Sequence, residues 1–184
     1  MRIIAGQYKG RRLFTPEDSR IRPTSDKVRE AVFSILGEAV QGARVLDLFC
    51  GTGALGLEAL SRGAASLVLV DTSIKSLALA RRNLELVGAK APLVKAELPG
   101  QLKRAVEAGP YDLIFLDPPY RKDLLLPCLE GLVTLGLLAP GATVAAEHEP
   151  GLPLAPSHLG SPNLRTWGDT AFSFFFVPAQ GVAP

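Results

Sequence analysis

Residues 43–56 read Ala43-Arg44-Val45-Leu46-Asp47-Leu48-Phe49-Cys50-Gly51-Thr52-Gly53-Ala54-Leu55-Gly56, and the next apolar run, Ser66–Val70, ends in Asp71. Ala43–Leu48 reads as a strand that runs straight into a glycine turn, and Ala54–Ser61 reads as a helix. Gly51, Gly53 and Gly56 have the spacing G-x-G-x-x-G, with Asp71 twenty residues after Gly51. Strand, glycine turn, helix and a second strand ending in a carboxylate make one nucleotide-binding unit of a doubly wound sheet. Glycine is needed there because the turn is tight and a ligand must approach the backbone closely. Asp71 would accept hydrogen bonds from ribose hydroxyls, which serves any adenosine-bearing cofactor.

The alternation continues outward. Ser73 caps a helix that runs to about Val87 and stops at Gly88. Pro92–Lys95 is a short strand, Gln101–Ala108 a helix, and Tyr111–Leu116 a strand ending at Asp117-Pro118-Pro119-Tyr120. Asp123–Leu135 reads as helix and Ala142–Glu147 as strand. Two strands, Asn163–Trp167 and Ala171–Val177, flank Gly168-Asp169-Thr170 with no helix between them, so they predict an antiparallel hairpin at one edge. Upstream, Thr24 or Ser25 caps a helix whose apolar face is Val28, Ala31, Val32, Ile35 and Leu36. Strands that are apolar throughout and alternate with helices predict an α/β fold with a mostly parallel sheet covered on both faces. Ligands bind at the carboxyl ends of such strands, where Asp47, Asp71 and Asp117 are expected to converge.

The chain has 184 residues, enough for one domain with a small appendage. Hydrophobic residues make up 47% and charged residues 21%, which excludes general disorder. The net charge is +2, but residues 1–30 alone carry +4. A local basic excess suits a patch that meets a polyanion, with Lys9, Arg11 and Arg12 as its candidate phosphate-binding residues. Residues 1–20, with Gly6 and Gly10 as turn signals, predict a basic extension forming a small hairpin ahead of a domain over 21–184. Two cysteines, Cys50 and Cys128, are too few for a disulfide framework or a zinc cluster. The start lacks the apolar core of a signal peptide, and no apolar run approaches the roughly 20 residues of a membrane helix. The expected location is therefore cytoplasmic. His148 and His158 lack metal-ligand spacing with a second ligand, so no metal is expected.

Two features choose between cofactors. A carboxylate at Asp47 would oppose the pyrophosphate of NAD and suits the cationic amino-acid end of S-adenosylmethionine. The second feature is Asp117-Pro118-Pro119-Tyr120, which resembles the signature of methyltransferases that modify exocyclic amino nitrogens of bases. Such an amine is a poor nucleophile because its lone pair is delocalised into the ring. The Asp117 carboxylate and the Pro118 carbonyl can accept its two N–H bonds and favour the pyramidal form in line with the methyl donor. Tyr120 offers a ring on which the base can stack.

The chain resembles the bacterial RsmD family, the 16S ribosomal RNA guanine-N2 methyltransferases. The resemblance rests on Arg2-Ile3-Ile4-Ala5-Gly6 with Lys9-Gly10-Arg11, on Arg22-Pro23-Thr24 with Asp26-Lys27-Val28-Arg29-Glu30, on Val45 to Gly63, on Asp117–Tyr120, and on Gly168-Asp169-Thr170. These cover nearly the whole chain, and the Arg-Pro-Thr helix entry is the family-specific part. The resemblance implies a class I, Rossmann-like methyltransferase fold of seven strands whose N-terminal extension helps to grip RNA. It implies S-adenosylmethionine contacts from Asp47, Gly51, Gly53 and Asp71, with Arg22 and Thr24 near the methionine end. Catalytic roles fall to Asp117, Pro118 and Tyr120. The implied partner is 16S ribosomal RNA within an assembling or assembled small subunit, with the target guanine in a loop or flipped out.

Other readings stay open on the sequence alone. Asp-Pro-Pro-Tyr also suits adenine-N6 methylation of DNA, although the chain leaves no room for a separate target-recognition domain. The glycine spacing alone would permit an NAD-dependent oxidoreductase. A non-catalytic RNA-binding protein on this fold would not need Asp117. The run Val94-Lys95-Ala96-Glu97 should reach the adenine end of the cofactor, with its register open.

Overall fold

The computed structural model describes residues 1–16, 25–104, 109–120 and 122–180. Arg22 and Thr24, and the expected domain boundary at residue 20, lie outside the described residues. Ser25 is the N-cap of the first helix, α1 (Asp26–Leu36), and its side chain accepts from the Val28 amide. A short 3-10 turn leads to β1 (Arg44–Leu48), the glycine turn and α2 (Ala54–Ser61). Then come β2 (Ser66–Asp71), α3 (Ile74–Val87), β3 (Leu93–Lys95) and β4 (Tyr111–Leu116). The chain continues with α4 (Leu125–Thr134), β5 (Leu138–His148), β6 (Asn163–Trp167) and β7 (Thr170–Phe176).

The seven strands form one sheet in the order β3-β2-β1-β4-β5-β7-β6. β1 to β5 pair in parallel, while β7 pairs antiparallel with both β5 and β6. This is the mostly parallel sheet with a C-terminal antiparallel hairpin that the alternation predicted. Successive strand side chains face opposite ways, so the sheet divides two cores. Val45, Leu67, Leu69, Leu113, Phe115 and Ala145 pack under α1, α2, α3 and residues 1–13. Leu46, Leu48, Val68, Ile114, Leu116 and Val144 pack under α4 and the segment around Leu98 and Leu102.

Three elements differ from the sequence reading by two residues or more. Residues 102–104 form a single 3-10 turn where the helix Gln101–Ala108 was expected, and residues 105–108 lie outside the described residues. α4 begins at Leu125 rather than Asp123, because Asp123 has a left-handed φ of 46° that a helix cannot contain. β5 starts at Leu138, earlier than the expected Ala142. Its register against β4 slips between Tyr111 and Leu113, where Pro140 and Gly141 (φ 77°) interrupt the pattern.

Residues 1–13 fold back on themselves through one antiparallel bridge between Arg2 and Arg12. The Ile3 amide donates to the Arg11 carbonyl and the Gly10 amide to the Ile3 carbonyl. Ile3 and Leu13 are buried in the same core as α1 and α2. The fully buried Glu58 of α2 accepts from the amides of Ile4 (2.7 Å) and Ala5 (3.0 Å) and from Arg62 Nε (2.8 Å). Gly6, at φ 79°, passes so close to α2 that a Cβ there would sit 1.7 Å from the Ser61 carbonyl oxygen.

Candidate active site

The parallel register explains why the acidic residues meet. Leu48 pairs with Val70 and with Leu116, and Leu116 pairs with Ala146. One residue further on, Asp71, Phe49, Asp117 and Glu147 therefore form a row across the carboxyl ends of β2, β1, β4 and β5. Asp47 lies two residues behind Phe49 on β1, facing the core under α2. The sequence placed three acids at this edge; the register adds a fourth, Glu147.

The glycine turn is held from both sides. The Cys50 amide donates to the Val70 carbonyl, and the Gly51 amide donates to Asp71 Oδ2 at 2.9 Å. Asp71 Oδ1 accepts from the Ser73 amide at 2.7 Å, so each carboxylate oxygen is fixed by one bond and keeps acceptor capacity. Gly53 has a left-handed φ of 78° and starts α2 as its N-cap. Gly56 is close-packed: a Cβ there would come within 2.6 Å of Leu67 and 3.0 Å of Asp47 Oδ2. By contrast, a Cβ on Gly51 would meet nothing within 4 Å, which marks the open side of the turn.

Asp47 is 1% exposed, and its Oδ2 accepts from the Gly56 amide at 2.9 Å, in the first turn of α2. Burial raises its pKa to about 7; the Gly56 amide opposes that rise and the nearby Asp71 charge adds to it. Asp117 follows β4, and its amide reaches the Leu48 carbonyl at 3.3 Å. Its carboxyl is held well above the usual carboxylate range, chiefly by desolvation and then by the charges of Glu147 and Asp47. These buried acids create a site that favours a cation. A sulfonium with its ammonium fits it, whereas a pyrophosphate would be repelled. The chemistry of this donor set and the open face at Gly51 thus suit S-adenosylmethionine.

Pro118 is buried and Pro119 and Tyr120 are exposed. The Tyr120 hydroxyl lies 3.4 Å from Glu147 Oε1, to which it donates, and 3.4 Å from Thr170 Oγ1. Beside them opens a cavity of about 380 Å³, walled by Pro118–Tyr120, Glu147, His148, the start of α4 and residues 152–154. Its lining is mainly apolar, as a flat heteroaromatic ring requires. His148 Nδ1 donates to the Glu149 carbonyl at 2.8 Å, so Nε2 of the neutral ring accepts from Ser173 at 2.9 Å. Burial lowers its pKa. Both ring nitrogens are thereby engaged within the fold.

Sequence reasoning missed Glu147. A signal was present: the predicted strand Ala142–Glu147 ends in an acid, as β2 ends in Asp71. The register beyond Val94 is now fixed. Lys95 pairs with Asp71 and the Ala96 amide donates to the Asp71 carbonyl, which leaves Glu97 exposed just past the row.

Lys9, Arg11 and Arg12 are exposed and stand apart from the acidic row. Gln7 and Tyr8 bond to Ser61 at the far end of α2, while Phe14 lies near Thr52 at its start. An eight-residue helix separates those ends by roughly 12 Å at 1.5 Å per residue. Lys9 therefore sits away from the glycine turn, and Arg12 nearer to it. Arg82 of α3, which was not singled out from the sequence, stacks its guanidinium 4.0 Å over the exposed Phe14 ring and extends this basic surface.

The comparisons agree with this geometry. Residues 1–176 match the model of the family described as Conserved hypothetical protein 95. Ribosomal RNA small subunit methyltransferase D of Escherichia coli K12 is 37% identical over 98% of this chain and 92% of its own length. YlbH of Bacillus subtilis strain 168 is 35% identical, covering 95% of this chain and 98% of that protein. Among solved structures, yhhF of Escherichia coli superposes with a TM-score of 0.83 at 35% identity, covering 98% and 99% of the two chains. An Arg-Ile-Ile-Ala-Gly start docked on α2, a glycine turn braced by Asp71, and Asp-Pro-Pro-Tyr closing β4 thus occur together in a chain that belongs to the conserved hypothetical protein 95 family, the RsmD family.

Proposed function

We propose that this chain transfers a methyl group from S-adenosylmethionine to the exocyclic N2 of a guanine in small-subunit ribosomal RNA. The observation that carries this reading is the position of the Asp117–Tyr120 motif: Asp117 directly follows the strand that adjoins the one entering the glycine turn, and Pro118 and Tyr120 after it wall a base-sized, mainly apolar cavity.

Asp47, Gly51, Gly53 and Asp71 would hold the cofactor, with Arg22 and Thr24 approaching its methionine end. When bound, S-adenosylmethionine supplies an electrophilic methyl group on a sulfonium. The Asp117 carboxylate and the Pro118 carbonyl accept the two N–H bonds of the amine and turn its lone pair towards the glycine turn. The cation and the two N–H donors favour the ionised form of Asp117, against the desolvation that raises its pKa. Asp117 then takes the proton that the amine gives up as the N–C bond forms. Tyr120 stacks on the extruded base. Lys9, Arg11 and Arg12 hold phosphates and set the register without reading sequence. The substrate is the ribosomal RNA of an assembling or assembled small subunit, in the cytoplasm.

The test is transfer of labelled methyl to naked 16S RNA, to small subunits lacking the modification, and to duplex DNA. Label should arrive as N2-methylguanine in ribosomal RNA. Asp117→Ala should lower transfer by at least about 100-fold while cofactor binding persists. Label on DNA adenine, or undiminished transfer by the variant, would overturn the reading.

A further inference from the structure

We propose that Arg82, laid flat on Phe14, is a stacking platform for an unpaired nucleobase of the RNA, a nucleotide other than the methylated one. The inference rests on the reading of ribosomal RNA as substrate and adds a second place at which that RNA is held.

The platform is half of a sandwich. The Arg82 guanidinium stands 4.0 Å over the centre of the Phe14 ring, the separation of a stacked pair. Phe14 is 39% exposed and Arg82 is exposed, so the guanidinium face turned away from the ring meets solvent. Glu85 lies three residues further along α3, a spacing at which helical side chains can pair. Among the described residues Arg82 nevertheless makes no ion pair, and its side chain lies on the ring instead. An arginine in this pose offers a delocalised plane on which a base can lie, with N–H donors around its edge.

The pair is held ready for such a ligand. The Phe14 amide donates to Asn83 Oδ1 at 2.7 Å, and Asn83 Nδ2 donates to the carbonyls of Phe14 and of Thr52, each at 3.0 Å. Asn83 is fully buried and is the chain neighbour of Arg82. One buried side chain therefore anchors both members of the stack and sets them beside the glycine turn. Binding there has little backbone ordering to offset.

The surroundings select the partner. Arg11 and Arg12 precede Phe14 by three and two residues, and Lys75 and Arg81 are exposed on α3. Cations alone would attract any polyanion, and a stacking plane alone would take any flat ring. Unpaired RNA presents both phosphates and free base faces, whereas a duplex hides its base faces within its own stack. The target base is assigned to the cavity beside Tyr120, between α4 and β5, so the base on Arg82 belongs to another nucleotide.

The experiment measures the affinity of the full chain for a short unstructured oligoribonucleotide and for an abasic oligomer of the same length and charge. Wild-type protein should prefer the base-bearing strand by about tenfold or more. Arg82→Lys keeps the charge but has no plane, and Phe14→Leu removes the ring while leaving the backbone bonds to Asn83. Each should melt as the wild type does and cut the preference by about fivefold or more. A residue that only meets phosphate would weaken both strands alike. An unchanged preference in either variant would therefore overturn the platform, and so would equal affinity of the wild type for the two strands. Methyl transfer to guanine by the wild type separates this claim from the reading it rests on. Its absence defeats the guanine-N2 reading whatever the oligomers show. Its presence with a preference that neither variant alters defeats the platform alone.

Discussion

Asp47 shows how the burial of a single carboxyl makes the stability of this fold depend on pH. In the unfolded chain its pKa lies near 4, and in the folded protein burial lifts it to about 7. The folded state therefore keeps a proton that the unfolded chain has lost, and stability falls as pH rises from about 4 to about 7. The loss is on the order of 4 kcal/mol once Asp47 is fully ionised. Asp47→Asn keeps an acceptor for the Gly56 amide and removes the ionisation. Without cofactor, the variant should melt higher than wild type at pH 8, and its melting temperature should vary less with pH. A variant no more stable at pH 8 would contradict the desolvation argument. A cationic ligand reverses the balance by stabilising the ionised form. Binding of S-adenosylmethionine near pH 7 should release a proton, seen as a calorimetric enthalpy that changes with the buffer's ionisation enthalpy. Affinity should weaken as pH falls below about 7.

Legibility at this scale followed chain locality. The glycine turn, Asp71 and Asp117 could be read because each belongs to a short motif with its own spacing. Glu147 could not, because its significance depends on the β4–β5 register, which no local pattern contains.

Among the elements, the N-terminal segment is the least self-sufficient. Its hairpin has a single bridge, and its stability comes from α2 and α3. Gly6 lies against the Ser61 carbonyl, where even one added methyl group has no space. Gly6→Ala should lower the melting temperature by roughly 5–10 °C, with residues 1–14 losing hydrogen-exchange protection first. Uniform loss of protection across the sheet would mean that the segment does not open separately. The strands of the sheet were legible from apolar runs and turn residues. The docking of residues 1–14 was not, because Glu58 and Asn83 look like ordinary polar positions of amphipathic helices. Their partners in that segment are 53 to 69 residues away.

At the scale of the molecule, charge is divided. Acids gather at the carboxyl edge of the sheet, and the exposed cations Lys9, Arg11, Arg12 and Arg82 lie on the face of α2 and α3. Long-range attraction for RNA should therefore come from that face. Replacing Arg11 and Arg12 together with alanine should weaken RNA binding and reduce the slope of log K against log salt by about 1 to 2. Methyl transfer at saturating RNA should change little. An unchanged salt slope would show that these arginines do not meet phosphate.

Asn83 has a consequence for how this chain can change over generations. Its side-chain amide, fully buried, donates to the carbonyls of Phe14 (3.0 Å) and Thr52 (3.0 Å) and accepts from the Phe14 amide (2.7 Å). One side chain on α3 thus ties the end of the N-terminal segment to the glycine turn. A descendant that discarded residues 1–14 would strip two of these three bonds from a buried amide, a penalty of about 1–3 kcal/mol for each unmet group. The loss would be tolerable only with a compensating change at position 83, for instance to leucine or methionine. Segment and asparagine should be inherited as a pair, gained together and lost together, although 69 residues of chain separate them.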